Sequence, residues 1–402
     1  MAGESLSFLN IFIIWVHKLF SNGNGDDIMI QKISKSLLFI LFGCVLFLQH
    51  TASAHEADWG SAPHFSDQQE FIQYIIECNK NLQSEIAVVF DDMYVDEDEL
   101  FEIAPIWAGN ITLLNYDGRD SYVTGSFTHT PGERVAYAYL NGDTSFLDGD
   151  EIQLYNEAVD IVNEANAQPT LLRTELLLHD ILADRITYFT EPTVAYLAPY
   201  SAASGAILDG QANCQGYSDA FIMLARMCGI EANRINGHAG GGRHTWSVVY
   251  IDGNSYFVDV TFDDASFHMN DIDFTDHIYF NVPRDVISGS HSWDWAVEPP
   301  GLQEYPDENY FYTTSEYDRT RGKYFGMYAS TAEDALQRIA DNAVNNGWRF
   351  SYAMCPYDDE YNDANFSNSY LLNDLLPYDG WYSTMNINTC GNYMFFTTDT
   401  HH

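Results

Sequence analysis

The sequence predicts an α+β fold, with a helix packed on an antiparallel sheet at its centre and a smaller α+β unit on either side. Three observations carry this. Asn213 to Gly229 keeps apolar residues at helical spacing between a capping residue and a terminating glycine. His244 to Val260 reads as two strands joined by an Asp-Gly turn. Outside this centre, helix-like and strand-like stretches alternate and are separated by Gly, Pro and Asp breaks.

Taken in order, residues 1–54 read as an N-terminal extension and signal peptide. Lys32 and Lys35 precede the apolar run Leu37 to Leu48, and Ala52-Ser53-Ala54 fits the small-x-small cleavage rule. A mature chain would then begin at His55, secreted and without stable membrane insertion. An uncleaved membrane anchor is the alternative. Residues 55–148 form an N-terminal α+β domain. It has a helix from Ser66 to Leu82, a strand from Glu85 to Phe90 and a short acidic helix near Glu97–Ile103. Strands follow at Ile111–Leu114, Tyr122–Thr128 and Arg134–Leu140. Residues 149–298 form the core. Its first two helices, about 150–166 and 170–186, carry apolar stripes such as Ile152, Tyr155, Val159 and Val162. Residues 299–402 form a C-terminal α+β region beyond the Glu298-Pro299-Pro300-Gly301 break. Its order of elements repeats that of the N-terminal unit, which points to a duplicated module.

Composition narrows the partners. The chain has 402 residues and a formal net charge of −41. Past residue 54 there are 55 acids against 14 bases, with Lys80 and Lys323 the remaining lysines. Such a surface repels nucleic acid and anionic membranes. The acidic runs Asp96 to Glu99 and Asp358 to Glu360 lack the spacing of a calcium loop and read as solvated faces. The mature chain would hold five cysteines, and an odd count leaves a free thiol. Cys355–Cys390 is a candidate disulfide. No cysteine or histidine spacing marks a metal site, and no cofactor is implied. His238, His268, His277 and His291 read as surface or loop residues.

The chemistry concentrates between Gly210 and Asp264. Cys214 falls in the first turn of the Asn213–Gly229 helix, where free N–H groups and the helix dipole favour a thiolate and offer donors to an oxyanion. Cys228, on the apolar face near the other end, reads as a packed thiol. A nucleophilic sulfur needs a base. His244 opens one strand of the hairpin and Asp259 ends the other. An even-numbered loop makes an even position face an odd one, so His244 and Asp259 project from one face. That parity lets a carboxylate orient an imidazole. Trp246 shares the face of His244, as a wall of the site or as core. Asp263-Asp264 read as a turn cap.

These segments resemble a known family. Cys214-Gln215-Gly216-Tyr217, His244-Thr245-Trp246 and Val258-Asp259-Val260-Thr261-Phe262-Asp263-Asp264 are similar, in order and separation, to motifs of the transglutaminase-like group of papain-like cysteine enzymes. Phe262 stands where the family often has Trp, Ser247 where Asn is common, and Asn213 where a small or apolar residue is usual. The resemblance implies a papain-like core with Cys214 as nucleophile, His244 as general base and acid, and Asp259 as orienting carboxylate. It implies a secreted peptidase, amidase or protein-glutamine transamidase working through an acyl-enzyme. Its partners would be protein or peptide substrates, cell-surface proteins among them. The rival reading is a degenerate scaffold that binds protein or cell surface without catalysis.

Overall fold

Strand β1 (His64–Phe65), helix α1 (Gln68–Lys80) and strand β2 (Glu85–Phe90) make a parallel β–α–β unit, extended by the hairpin β3 (Gly109–Tyr116) and β4 (Ser121–Phe127). The computed structural model describes residues 59–95, 109–191, 199–264, 268–269, 272–273, 275–293, 299–313, 317–319, 322–347, 349–359, 361, 369–377 and 380–402. The elements below all lie within Pro63–His402. Asp67 caps α1 by accepting from the Gln69 amide at 2.6 Å. Phe71, Ile75 and Cys78 then face the sheet and bury against Val88, Phe90, Val123 and Phe127. The acidic helix expected near Glu97–Ile103 lies outside the described residues, as does the run Asp96–Glu99.

Arg134–Leu140, expected as a strand, is helix α2 (Pro131–Asn141). Val135 to Tyr139 does alternate in size, which is the signal that misled. The stronger local signal is a capping box, with Thr130 and Glu133 bonded reciprocally and Pro131 at the first turn. Val135 and Ala136 pack with the core and not with the N-terminal sheet. The core therefore reaches back to Pro131, earlier than the expected boundary at 148/149.

Helices α3 (Gly149–Ala165), α4 (Leu171–Arg185) and α5 (Cys214–Met227) surround one face of the central sheet. That sheet comprises β5 (Glu231–Ala239), β6 (Gly242–Ile251) and β7 (Asn254–Val258). A one-turn helix α6 (Val260–Asp263) follows, and then strand β8 (His291–Trp293). The order is β8-β5-β6-β7, antiparallel throughout. Tyr217, Phe221 and Leu224 of α5 meet Val249, Tyr256 and Val258 of the sheet in one buried cluster.

Asp219, on the same helix, is buried and ties four segments together. Its carboxylate accepts from the Thr130 hydroxyl and from the amides of Gly132 (3.3 Å) and Ala203 (2.8 Å), and Arg234 lies 3.4 Å away. Burial pushes its pKa up, partly offset by the charge of Arg234. Asp219→Ala would strand these donors and the half-buried guanidinium of Arg234. The expected loss is about 3–5 kcal/mol in urea-unfolding free energy. A loss below about 1 kcal/mol would show that the network does not hold α5.

The other face of the sheet carries Ile235, Trp246, Val248, Phe257 and Trp293. They pack against Tyr310, Phe311 and Tyr312 and against Phe350, Tyr352 and Phe395 from the C-terminal strands. Residues 299–313 also bond along the sheet edge, with the Ser255 amide donating to Gly301 O and the Gln303 amide to Ser255 O, both at 2.9 Å. The segment just past the expected break at 298/299 thus pairs with the sheet edge and packs with both the core sheet and the C-terminal strands.

The C-terminal module contains β9 (Tyr317–Arg319), β10 (Gly322–Tyr328), α7 (Ala332–Asn346), β11 (Phe350–Pro356), α8 (Ser369–Asn373), β12 (Tyr382–Cys390) and β13 (Tyr393–His401), in the order β9-β10-β11-β13-β12. The run β10-β11-β13-β12 has a parallel first pair bridged by a helix and then an antiparallel hairpin. The N-terminal run β1-β2-β4-β3 has the same order and directions. One topology thus appears twice, without the strand expected at Arg134–Leu140, which is a helix. Cys355 and Cys390 are both free thiols, not a disulfide, and lie in different buried clusters.

Candidate active site

Cys214 sits at the first position of α5 because Asn213 ends the preceding extended segment and caps the helix. Its side-chain oxygen accepts from the amides of Gln215 (2.9 Å) and Gly216 (3.2 Å). The cap therefore consumes two of the amides expected to serve an oxyanion. The Cys214 amide is the first-turn donor left over. Gly216 is required by close approach. A Cβ there would lie 2.6 Å from Tyr200 O and 2.8 Å from the Ala212 Cβ. Tyr217 is buried and donates to Asp264, while Ser218 Oγ lies 2.9 Å from Cys214 O and 3.2 Å from Thr245 O. Those bonds fasten the Cys214 turn to the strand that bears His244.

The β6–β7 hairpin closes through Asp252-Gly253, both at positive φ (52° and 85°), as a primed two-residue turn requires. Ser247 pairs with Val258, so Trp246 would face position 259 and His244 lies diagonal to it. The parity argument places the imidazole and the carboxylate on one face, and they meet. His244 Nε2 is 2.6 Å from Asp259 Oδ2. The chain leaves the sheet at Asp259, whose other oxygen caps α6 by accepting from the amides of Thr261 (3.1 Å) and Phe262 (3.2 Å).

Cys214 stands beside His244 and, with Asp259, favours the proton on its ring. Burial opposes a charge on the ring. The charge and hydrogen bond of Asp259, together with Cys214, outweigh it and push the His244 pKa up to about 10. Burial also opposes the Asp259 carboxylate. Its two imidazole partners more than offset that and hold it well below the usual carboxylate range. Trp246 is fully buried and stacks on His244 with centroids 5.9 Å apart, so it is both core and wall. The pKa of Cys228 is pushed up to about 11 by burial, in keeping with a packed thiol.

Two histidines read as surface or loop residues are buried beside this line. His291 Nε2 is 2.9 Å from Asp259 Oδ2, the oxygen that also binds His244. His277 Nε2 is 2.8 Å from Asp180 Oδ1, in a second buried group with His179. A signal for His291 was present: His291-Ser292-Trp293 repeats the His-x-Trp pattern of His244-Thr245-Trp246. Three residues of strand are too few for periodicity to register. His238 is exposed as read, and the side chain of His268 lies outside the described residues.

Asp263-Asp264 do more than cap a turn. Asp264 accepts from Tyr217, and Asp263 accepts from His179 Nε2 at 3.0 Å and from the Tyr279 amide at 3.0 Å. The one-turn helix is thus fixed at one end by Asp259 and at the other by this pair.

Both histidine–carboxylate groups bring three ligand atoms within 4.8 Å. Two ligands of one tetrahedral zinc lie about 3.3 Å apart, given bonds of about 2.0–2.1 Å. The His244–Asp259 separation of 2.6 Å and the His277–Asp180 separation of 2.8 Å are shorter. They are charge-assisted hydrogen-bond distances.

His244 forms part of the wall of a cleft of about 420 Å³, together with Tyr188, Gly240, Arg243 and Phe262. Cys214 and His244 are themselves 8% and 7% exposed, and of the two it is His244 that lines the cleft. A helix-start cysteine beside a strand histidine that is hydrogen-bonded to a carboxylate, on an antiparallel sheet, is the arrangement of a papain-like core. Residues 160–260 match the model of the transglutaminase-like superfamily, and this segment is a transglutaminase-like domain. Among solved structures the chain is similar to a TGase (18% identity, TM-score 0.25, covering 44% of this chain and 51% of that one). It is also similar to the periplasmic domain of TgpA from Pseudomonas aeruginosa (16% identity, TM-score 0.25, covering 35% and 54%). The chain spans about half the length of each. No curated protein matches it. Among the described residues, no helix is long and apolar enough to cross a membrane.

Proposed function

We infer that the protein is a secreted cysteine-nucleophile enzyme that acts on peptide or glutamine amides through an acyl-enzyme. The observation that carries this reading is Cys214 at a helix start beside His244, which is hydrogen-bonded to Asp259 and lines a cleft. Secretion rests on the signal-like segment Met29 to Ala54. His244, with its raised proton affinity, takes the thiol proton. The sulfur then attacks the amide carbonyl, forming a C–S bond, while the carbonyl electron pair moves to oxygen and faces the Cys214 amide. As the C–N bond breaks, His244 gives its proton to the leaving amine. Water or a second amine, deprotonated by His244, resolves the thioester. Water makes the enzyme a peptidase or amidase, and a lysine amine makes it a transamidase.

The test incubates the exported protein, expected to begin at His55, and Cys214→Ala with a glutamine-containing peptide and a labelled amine. Cleavage, deamidation and cross-linking are scored by mass. Product is expected from wild type alone. Equal output from both would favour a non-catalytic binding scaffold. In parallel, Cys214 is expected to alkylate fast below pH 7, an advantage that shrinks in His244→Ala.

A further inference from the structure

The residue beneath the candidate triad is a second imidazole, and it is held by a different part of the chain. Asp259 Oδ2 receives both His244 Nε2 at 2.6 Å and His291 Nε2 at 2.9 Å. The side chain of His291 is fully buried, so it cannot exchange protons with substrate. Its other nitrogen, Nδ1, lies 2.8 Å from Ser290 Oγ. The Asp259 carboxylate can only accept, so the Nε2–H of His291 points at it, while the Ser290 hydroxyl also has Ile287 O within reach at 3.3 Å. Ser290 Oγ in turn lies 3.1 Å from Tyr279 Oη and 3.4 Å from Cys390 Sγ, and that thiol donates to Val286 O at 3.2 Å.

Cys390 belongs to the β12–β13 hairpin of the C-terminal module, not to the core. The fit of its turn is close. A Cβ on Gly391 would lie 2.9 Å from Asp285 O and 3.1 Å from Val286 O, and one on Gly289 would lie 2.0 Å from Gly391 N. Gly391 also takes a positive φ of 58°, which favours glycine. The turn thus seats against residues 285–290, the segment leading into β8. The aromatic packing agrees: Trp246 meets the His291 ring edge-on at 5.0 Å, and Phe262 lies 4.8 Å from it.

We propose that His291 is a positioning residue for Asp259, and that the Cys390–Gly391 turn of the C-terminal module holds His291 in place, so that the module completes the site. Asp259 takes four donors: two imidazoles on one oxygen and two amides on the other. Without His291 the carboxylate loses one of the two restraints on Oδ2 and the orientation of His244 loosens. This rests on the enzymatic reading above, and the readouts separate the two.

The experiment measures kcat, KM and the alkylation rate of Cys214 by iodoacetamide in wild type, His291→Ala, His291→Gln, Gly391→Ala and the double variant His291→Ala/Gly391→Ala. His291→Ala is expected to lower kcat and the alkylation rate about 10- to 100-fold, the loss of one hydrogen bond to a charged group. KM should hold, because His291 does not face the cleft. His291→Gln restores an N–H donor and is expected to recover most of the loss. Gly391→Ala should give a smaller loss of the same kind, with no further loss in the double variant. Wild-type rates in His291→Ala, no recovery in His291→Gln, or additive losses in the double variant would each overturn the proposal. If wild type gives no product above Cys214→Ala, the enzymatic reading fails, and the alkylation rates still decide the role of His291. Melting temperatures of all variants identify any that fail to fold.

Discussion

Asp259→Asn is expected to lower kcat by about 10⁴-fold, the scale seen when the orienting carboxylate of a catalytic triad becomes an amide. The argument is one of donors and acceptors. Asp259 accepts from His244 and His291 on Oδ2 and from the Thr261 and Phe262 amides on Oδ1. An asparagine has one accepting oxygen. If that oxygen keeps the two backbone amides, its NH₂ faces both imidazoles. Each ring must then present a bare Nε2 and carry its proton on Nδ1. For His244 that puts a proton on the nitrogen facing Cys214, which can no longer take the thiol proton. If the amide flips, the cap of α6 loses both acceptors. The check is kcat on the peptide substrate, with the pH profile of Cys214 alkylation beside it. Activity within about tenfold of wild type would mean that Asp259 does not orient the base.

How much of this was legible depends on whether the signal was local. The α5 start was readable because Asn213, the apolar spacing of Tyr217, Phe221 and Leu224, and Gly229 all lie within one helix. The meeting of His244 and Asp259 was readable because a hairpin converts sequence parity into facing. Strand β5 carries Asn233, Arg234, Asn236 and His238 and shows no clean alternation, so it was not anticipated although it is central to the sheet. His291 reaches Asp259 from 32 positions away and through another strand. The partner of Asp263 lies 84 positions upstream. Burial of those polar groups is decided by packing, which no local pattern encodes. The motif residues Gly216, Tyr217, Asp263 and Asp264 were visible as a pattern, but their reasons are tertiary. They comprise one close approach and two hydrogen bonds that lock the helix start and the one-turn helix around the site.

The second large effect concerns stability. Unfolding free energy is expected to fall as pH rises from about 7 to 9, and His179→Gln should flatten that slope. His179 is fully buried between Asp180 (3.2 Å) and Asp263 (3.0 Å), with His277 beside it and Glu175 and Asp276 nearby. Burial opposes its charge. The hydrogen bonds and charges of the two carboxylates outweigh burial and push the pKa up to about 9. Burial pushes Asp263 the same way, to about 7, against His179 and the Tyr279 amide. With two donors on Asp263 and two carboxylates on His179, the arrangement is an imidazolium clasped by carboxylates. A histidine whose folded pKa is raised stabilises fully below its unfolded value, near 6.5, and loses that contribution as pH passes the folded value. The shift corresponds to on the order of 3 kcal/mol. Asp263 contributes the same sign at lower pH, between about 4 and 7. His244 loses its proton later, toward 10. Burial pushes Glu175 up to about 8, against the Asn281 hydrogen bond and the charge of His179, so the difference between wild type and His179→Gln in urea unfolding at pH 7, 8 and 9 reports His179 together with its hold on Glu175. Parallel slopes would show that the ring carries no extra proton. The consequence reaches the site, because Asp263 anchors the far end of α6, whose first amides hold Asp259. Losing the His179 proton should loosen the helix that sets the orienting carboxylate, so turnover is expected to decline at pH 7–9, before His244 itself titrates.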